Sequence, residues 1–496
     1  MRRHSLVLVT VDCLRADHVG FQGYTSSVTP FLDSLAKNSI VFSDAVVAGA
    51  PTYFSFPAIM ASRYPLGLGR EVLGIAPDEP TIATALQRSG YVTAAFLAGN
   101  PYLSPRFGYD QGFDKFHDFL DSSLSGVSTI PSPLGNSRFS RWNRDLEAIT
   151  ARSRLTAAAY HEFYFRYCQW RSASEDLSLD QLRRYPAADV LIDRACSWLK
   201  GLHDQPFFLW IHLMDPHHPY YPPQEALSSI GMSNMSARRA RFLNSFWNRG
   251  DVGPGRLRRH KAEILSLYDA GVYWVDKQLS RLVDVLHQMQ RWDETVFVVT
   301  ADHGEEFLEH GERYHSPTNL PEQLIHVPLL VHSSEVDGMM ISNGLFSLIH
   351  LAPTLLGALG IDVPNTFQGT DFWEQVRAGT LSNEPAVAEC VDGCNNPLEV
   401  NDRIRPRILA VRDLDYKLVI RFSEQKDCLY DLKNDPAECS PVPSEVLTAE
   451  RIRLLKVAGK HLKTTITGRN LDLVSRSRLR DLRHAIDLKR AGTLSS

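Results

Sequence analysis

Residues 6–24 read LVLVTVDCLRADHVGFQGY, an apolar, β-branched run that ends on an acid. Polar and apolar positions do not alternate in it, so it reads as a strand covered on both faces, as in a parallel sheet. The basic residues ahead of it, Arg2 and Arg3, imitate the start of a secretory leader. The run lasts only about seven residues and stops at Asp12 with no small-residue cleavage site, so a buried first strand is expected instead.

Outward from that strand the chain alternates apolar runs with amphipathic stretches. TPFLDSLAKNS (29–39), IVFSDAV (40–46), TIATALQRSG (81–90) and YVTAAFLAG (91–99) follow in turn. Strands alternating with helices point to βαβ units and a mainly parallel sheet. The pattern resumes with PFFLWIHLMD (206–215), a long amphipathic helix over 263–289, TVFVVTADHGEE (295–306) and HVPLLVHSS (326–334). After about residue 375 short pieces, PAVAEC, RILAVRD, YKLVIRF and CLYDL, predict a small antiparallel sheet.

The domain organisation expected is a catalytic α/β domain over 1–372, a small α+β subdomain over 373–445, and a basic helical tail over 446–496. The first of these carries a helical insertion at about 122–200, entered through a Ser-, Gly- and Pro-rich linker (122–140). From residue 449 the tail holds twelve Lys or Arg against four Asp or Glu. It reads as a solvated amphipathic helix, with contact to an anionic surface or a protein as the alternative.

Composition narrows the function classes. The chain has 496 residues, 44% hydrophobic and 22% charged, with a formal net charge of −4. Those values exclude a disordered chain, and no nucleic-acid partner is expected. No stretch reaches the ~18 apolar residues a membrane span needs, and a cytoplasmic location is expected. The seven cysteines are odd in number and scattered, which favours reduced thiols. Cys390 and Cys394 alone lack the second pair of a zinc site.

Ligands of open α/β sheets gather beyond the carboxyl ends of the strands. Two strands end there in metal-binding residue types, one at Asp12 and one at Asp302 and His303. Together they make an oxygen and nitrogen donor set for a divalent cation. A third strand runs into PHHPYYPP, whose prolines stiffen the backbone beside His217. His310 and His315, on the loop after Asp302, are near enough in sequence to join the same end. Asp215, His217 and His310 are possible donors to a second metal. Asn100, after the strand over 91–99, is a candidate substrate contact or a turn former.

These strings, together with GAPTYFSFPAIMASRYP (49–65), LAPTLLGALGI (351–361) and LYDLKNDPAE (429–438), resemble in order the sulfatase family of the alkaline phosphatase superfamily. The resemblance implies an alkaline-phosphatase-like fold: a large mixed, mostly parallel sheet flanked by helices, with a small C-terminal antiparallel sheet. It implies hydrolysis of sulfate or phosphate esters through a covalent intermediate, with a divalent cation, Mn, Ca, Mg or Zn, as cofactor. The substrate class implied is a small-molecule, glycan or lipid ester.

Residue by residue, Asp12, Asp302 and His303 match metal ligands, with Thr52 beside them at the nucleophile position. His217 matches a histidine contacting the transferred group or leaving oxygen. His315 falls where many members carry lysine, and His310 and Asn100 remain substrate-binding candidates. The chain departs from the pattern at several places. Cys13 stands where many members have a second acid. Thr52 replaces a cysteine or serine converted to formylglycine, and Phe54 and Phe56 replace a proline and an arginine. Threonine cannot become formylglycine, so the nucleophile expected is its hydroxyl, with Ser55 as an alternative. Phe56 is expected to make the rim more apolar and to favour a phosphodiester or hydrophobic monoester. Two further readings are a transferase moving the same phosphoryl-containing group and a catalytically inactive scaffold.

Overall fold

The computed structural model describes residues 4–120, 154–171 and 177–493; the linker expected at 122–140 and part of the expected insertion lie outside them. Among the described residues the main sheet has nine strands. They are β1 (Ser5–Val11), β2 (Ile40–Val46), β3 (Val92–Leu97), β4 (Lys115–His117), β5 (Phe207–Leu213), β6 (Thr295–Ala301), β9 (His326–Val327), β10 (Leu329–His332) and β11 (Met340–Ser347). A two-stranded ribbon, β7 (Glu306–Phe307) and β8 (Arg313–Tyr314), lies between β6 and β9 in the chain.

The sheet order is β11-β2-β10-β6-β1-β5-β3-β4, with β9 beside β2. β1 is central and parallel to both β5 and β6, whereas β10 runs antiparallel between β2 and β6. All seven residues of β1, β5 and β6 are buried, as two-sided coverage by helices requires. The helix Lys261–Gln288 joins the same core, burying Ile264, Leu267, Leu279 and Leu282. Within the stretch read as an insertion, the helix Ala188–Lys200 packs on β3 and β5.

The expected antiparallel sheet is present as β12 (Ala386–Val391), β13 (Arg407–Arg412), β14 (Tyr416–Arg421) and β15 (Lys426–Asp431). The tail forms two helices, Thr448–Thr467 and Leu471–Thr493, each with one packed face. Leu454 and Ala458 cover the small sheet, and Leu473 and Val474 meet Leu68, Val72 and Ala76. Among the described residues no helix is long and apolar enough to cross a membrane.

A buried charge network ties the two sheets together. Glu322 receives Arg412 at 3.0 Å and Lys417 at 3.1 Å, while Arg412 also holds Asp44 of β2 at 2.6 Å. Burial by itself pushes Glu322 up, but Lys417 and Arg412 outweigh it and hold the carboxyl at about 2. A carboxyl depressed on folding stabilises the protein above its unfolded value of about 4.3 and loses that contribution as pH falls through the folded one. Glu322→Gln removes one of two anionic partners from each cation, since Arg412 keeps Asp44 and Lys417 keeps Glu438 at 2.7 Å, and costs about 1–3 kcal/mol at neutral pH. Thermal melts from pH 7 to pH 2 are expected to show a lower midpoint at neutrality and a flatter acid limb for this variant. An acid limb identical to wild type contradicts the assignment.

Candidate active site

Strand register brings the site together. Val11 pairs with Leu213 on one side and Ala301 on the other, so the next residues, Asp12, Met214 and Asp302, emerge side by side at the carboxyl end of the sheet. Asp12, Asp302 and His303 are wholly buried. Thr52 opens the helix Thr52–Ala61 and is 5% exposed, at an end whose partial positive charge favours anions.

The Thr52 hydroxyl lies 3.1 Å from His303 Nε2 and donates toward Asp12 Oδ2 at 3.5 Å. Asn100 Nδ2 donates to the same Asp12 oxygen at 3.2 Å, and His212 Nε2 stands 3.3 Å from it. His303 Nε2 is 3.6 Å from both Asp12 Oδ1 and Asp302 Oδ2. Its other nitrogen, Nδ1, pairs with the Gly304 carbonyl at 2.8 Å, which leaves the Nε2 lone pair facing the cluster. Gly304 has no room for a side chain, because a Cβ there would stand 1.9 Å from the Gln323 carbonyl oxygen.

Electrostatics favour a cation at this point. Burial raises Asp12, but His217, His212 and His303 more than compensate and hold it well below the carboxylate range. Asp302 moves the other way, raised by burial and then by Asp12. Asp302 Oδ2 is buried with no hydrogen-bond partner, and His212 Nε2 is buried with only the 3.3 Å ion-pair approach of Asp12 Oδ2. Asp12, His212 and Asp302 offer donor atoms within 4.8 Å of one another, and so do Asp12, Cys13 and His303. Orphaned donors around two buried carboxylates fit a divalent ion.

The opposite wall of this cleft, about 360 Å³ in volume, carries His217, His218 and His315. The His315 ring is 4.7 Å from that of His303 and 5.0 Å from that of His217. Burial lowers His217. Burial also works against His315, yet Glu305, Asp12 and Asp302 together leave it raised. Tyr102 and Tyr185 line the rim, the latter edge-on to His217. A larger cavity, about 440 Å³, lies against the first tail helix. Its Arg70, Arg407 and Arg469 are already engaged with backbone carbonyls, Glu389 or Glu71.

Of the residues expected from sequence, Asp12, Thr52, Asn100, His217, Asp302, His303 and His315 come together here. His310 does not: it turns to Gln323 Oε1 at 3.0 Å. Asp215 also stays apart, accepting from the Ala188 amide at 3.2 Å. Ser55 is fully buried one turn along the helix and is not part of the cleft wall. Phe56 corrects an expectation, since it is wholly buried rather than at the rim and meets His212 edge-on at 5.1 Å. Its place on the helix turns it toward the sheet, so the rim is aromatic through tyrosines. His212 and Glu305 were missed. The signal for His212 was a lone imidazole in an otherwise apolar strand.

A cleft at the carboxyl end of a mixed, mostly parallel sheet, with donors grouped beside a hydroxyl, stands where α/β enzymes bind their ligands. The chain belongs to the Sulfatase family, whose model matches residues 4–361. Sulfatase-family enzymes are metal-dependent hydrolases. One relative is the multifunctional alkaline phosphatase superfamily protein PehA of Trinickia caryophylli, 21% identical, with 91% of this chain and 94% of that protein aligned. Among solved structures, one in complex with its substrate D-glucosamine-2-N,6-O-disulfate superposes with a TM-score of 0.66 at 16% identity, covering 94% of this chain and 98% of the other. The phosphonate monoester hydrolase of Agrobacterium radiobacter gives 0.63 at 18% identity, covering 94% and 96%.

Proposed function

We propose that this protein is a metal-dependent phosphoester hydrolase in which the Thr52 hydroxyl attacks the substrate and carries the transferred group as a covalent ester. The observation that supports it is the Thr52 oxygen, buried at a helix N-terminus within 3.5 Å of both His303 Nε2 and Asp12 Oδ2. Asp12, Asp302 and His303 are the residues that would hold the cation, with His212 beside them. Bound there, a divalent ion supplies positive charge that favours ionisation of a hydroxyl and drains charge from the group being transferred.

In this reading Asp12 orients the Thr52 hydroxyl, and Asn100 fixes the same carboxylate oxygen. Thr52 Oγ1, having released its proton to solvent on ionisation, forms a bond to phosphorus as the bond to the leaving oxygen breaks in line. His217 and His315 face that oxygen from the opposite wall and stabilise or protonate it as it departs. Water then attacks phosphorus as the bond to Thr52 Oγ1 breaks, and the proton that water loses restores the Thr52 hydroxyl. A threonine ester lacks the second hydroxyl through which a formylglycine hydrate expels its sulfate. Its release must pass through attack on the central atom, which favours phosphorus over sulfur.

A panel of nitrophenyl phosphodiester, phosphate monoester, phosphonate monoester and sulfate substrates, run with Mn, Mg, Ca and Zn after chelation, tests this. The phosphorus esters are expected to turn over at least ~10²-fold faster than the sulfate, an interval equal to about 2.7 kcal/mol of barrier. Preference for the sulfate contradicts the proposal, and no turnover of any ester supports a scaffold.

A further inference from the structure

Beside the Asp12, Asp302 and His303 group stands a second set of donors. Cys13 follows Asp12 directly with φ at 63°, a left-handed conformation rarely adopted by residues other than glycine. Its sulfur lies 3.4 Å from His315 Nδ1, and that nitrogen is 3.5 Å from Glu305 Oε2. Cys13, His217 and His315 offer donor atoms that all lie within 4.8 Å of one another. His315 is shared with a second close group, His218, Glu305 and His315.

Glu305 supplies an independent observation. Its carboxylate is wholly buried and neither oxygen makes a hydrogen bond among the described residues, the ion-pair approach of His315 Nδ1 at 3.5 Å leaving Oε1 without a contact of its own. A buried carboxylate oxygen is ordinarily hydrogen-bonded or bound to metal, and Oε1 makes no hydrogen bond. His217 Nδ1 is occupied by the His218 carbonyl, which leaves Nε2 as a lone-pair donor in the manner of metal-ligating histidines. A tetrahedral ion with Zn–S near 2.3 Å and Zn–N and Zn–O near 2.0 Å sets sulfur and nitrogen about 3.5 Å apart, and nitrogen and oxygen about 3.3 Å. The separations of 3.4 and 3.5 Å agree with that geometry.

We propose that Cys13, His217, His315 and Glu305 form a second cation site, distinct from the one at Asp12, Asp302 and His303. Thiolate and imidazole donors select a zinc-class ion over calcium or magnesium. The sites adjoin, because Cys13 Sγ is 3.1 Å from Asp12 Oδ1. Paired ions about 3.5–4 Å apart recur in enzymes that displace groups on phosphorus. The inference deepens the function proposed above and rests on it for its catalytic meaning: with His217 and His315 as ligands, the ion they hold would supply the charge that stabilises the leaving oxygen, in place of the free imidazoles.

The test is a titration of full-length, chelator-stripped protein with Co(II) in the absence of oxygen. Wild type is expected to bind two equivalents, one of them bringing a thiolate-to-cobalt charge-transfer absorption. Cys13→Ser is expected to lose that absorption and weaken one equivalent at least ~100-fold. Glu305→Gln is expected to weaken the same equivalent about 10- to 100-fold while retaining the absorption at saturation, and it carries the test if Cys13→Ser does not fold. Asp302→Asn is expected to keep one equivalent and the absorption. One equivalent in wild type, or two without the thiolate absorption, overturns the proposal. Thr52→Ala separates the two readings: two equivalents with lost turnover support both, whereas two equivalents with turnover retained support the site and overturn the attack by Thr52.

Discussion

Thr52→Ala is expected to lower kcat toward the best phosphorus ester at least ~10³-fold, as removal of an attacking hydroxyl does in enzymes that form covalent esters. Thr52→Ser keeps an oxygen at the same place and is expected to stay within about tenfold of wild type. The pair of variants isolates the atom from the space it fills. Thr52 is 5% exposed and opens a helix whose ten residues are all buried, so the methyl group contributes to packing that serine forgoes. Circular dichroism and thermal melts on both variants separate that loss from the chemical one. An alanine variant within tenfold of wild type contradicts the role given to this residue.

Asp302→Asn is expected to have an effect of comparable size by a different route. Asp302 is wholly buried beside Asp12 and has one carboxylate oxygen with no hydrogen-bond partner. Replacing it by the neutral amide removes one anionic donor from the proposed cation site without changing side-chain size much. Divalent-ion affinity at that site is expected to fall at least ~100-fold, and turnover at fixed, sub-saturating metal to fall with it. Calorimetric titration reads the first quantity and steady-state assays the second. Unchanged affinity would mean that the ion is held elsewhere, and the donor set at Asp12, Asp302 and His303 would then be misassigned.

The fold was readable because its central strands carry no polar alternation. LVLVTV, FFLWIHL and TVFVVTA are each buried along their full length, and runs of that kind leave little choice but a sheet covered on both faces. Asp12, Asp302 and His303 were readable for a related reason, since each stands at the end of such a strand. His217 stood out through the prolines that follow its strand, with its role supplied by the resemblance, whereas Thr52 emerged from the resemblance alone, through alignment of whole strings.

What remained hidden depended on register and on turns. His212 reaches Asp12 only because β5 pairs with β1 so that Thr10 faces His212. Cys13 turns toward His315 through a left-handed backbone that no propensity announces. Glu305 and Glu306 are adjacent acids with equal claims in sequence, yet they serve different surroundings. Glu306 lies on β7, where burial and then Glu309 push its carboxyl up to about 8. His310 was drawn into the site by its nearness in sequence to His315, whereas the loop carries it to Gln323.

The central claim is that the transferred group resides on the Thr52 oxygen. Rapid acid quench of the full-length enzyme during turnover of a phosphodiester, followed by proteolysis and mass spectrometry, tests it most directly. The account predicts a phosphoryl-containing adduct on the peptide holding Thr52, localised to that residue and absent from Thr52→Ala. An adduct on another residue, or one that persists in Thr52→Ala, would contradict it.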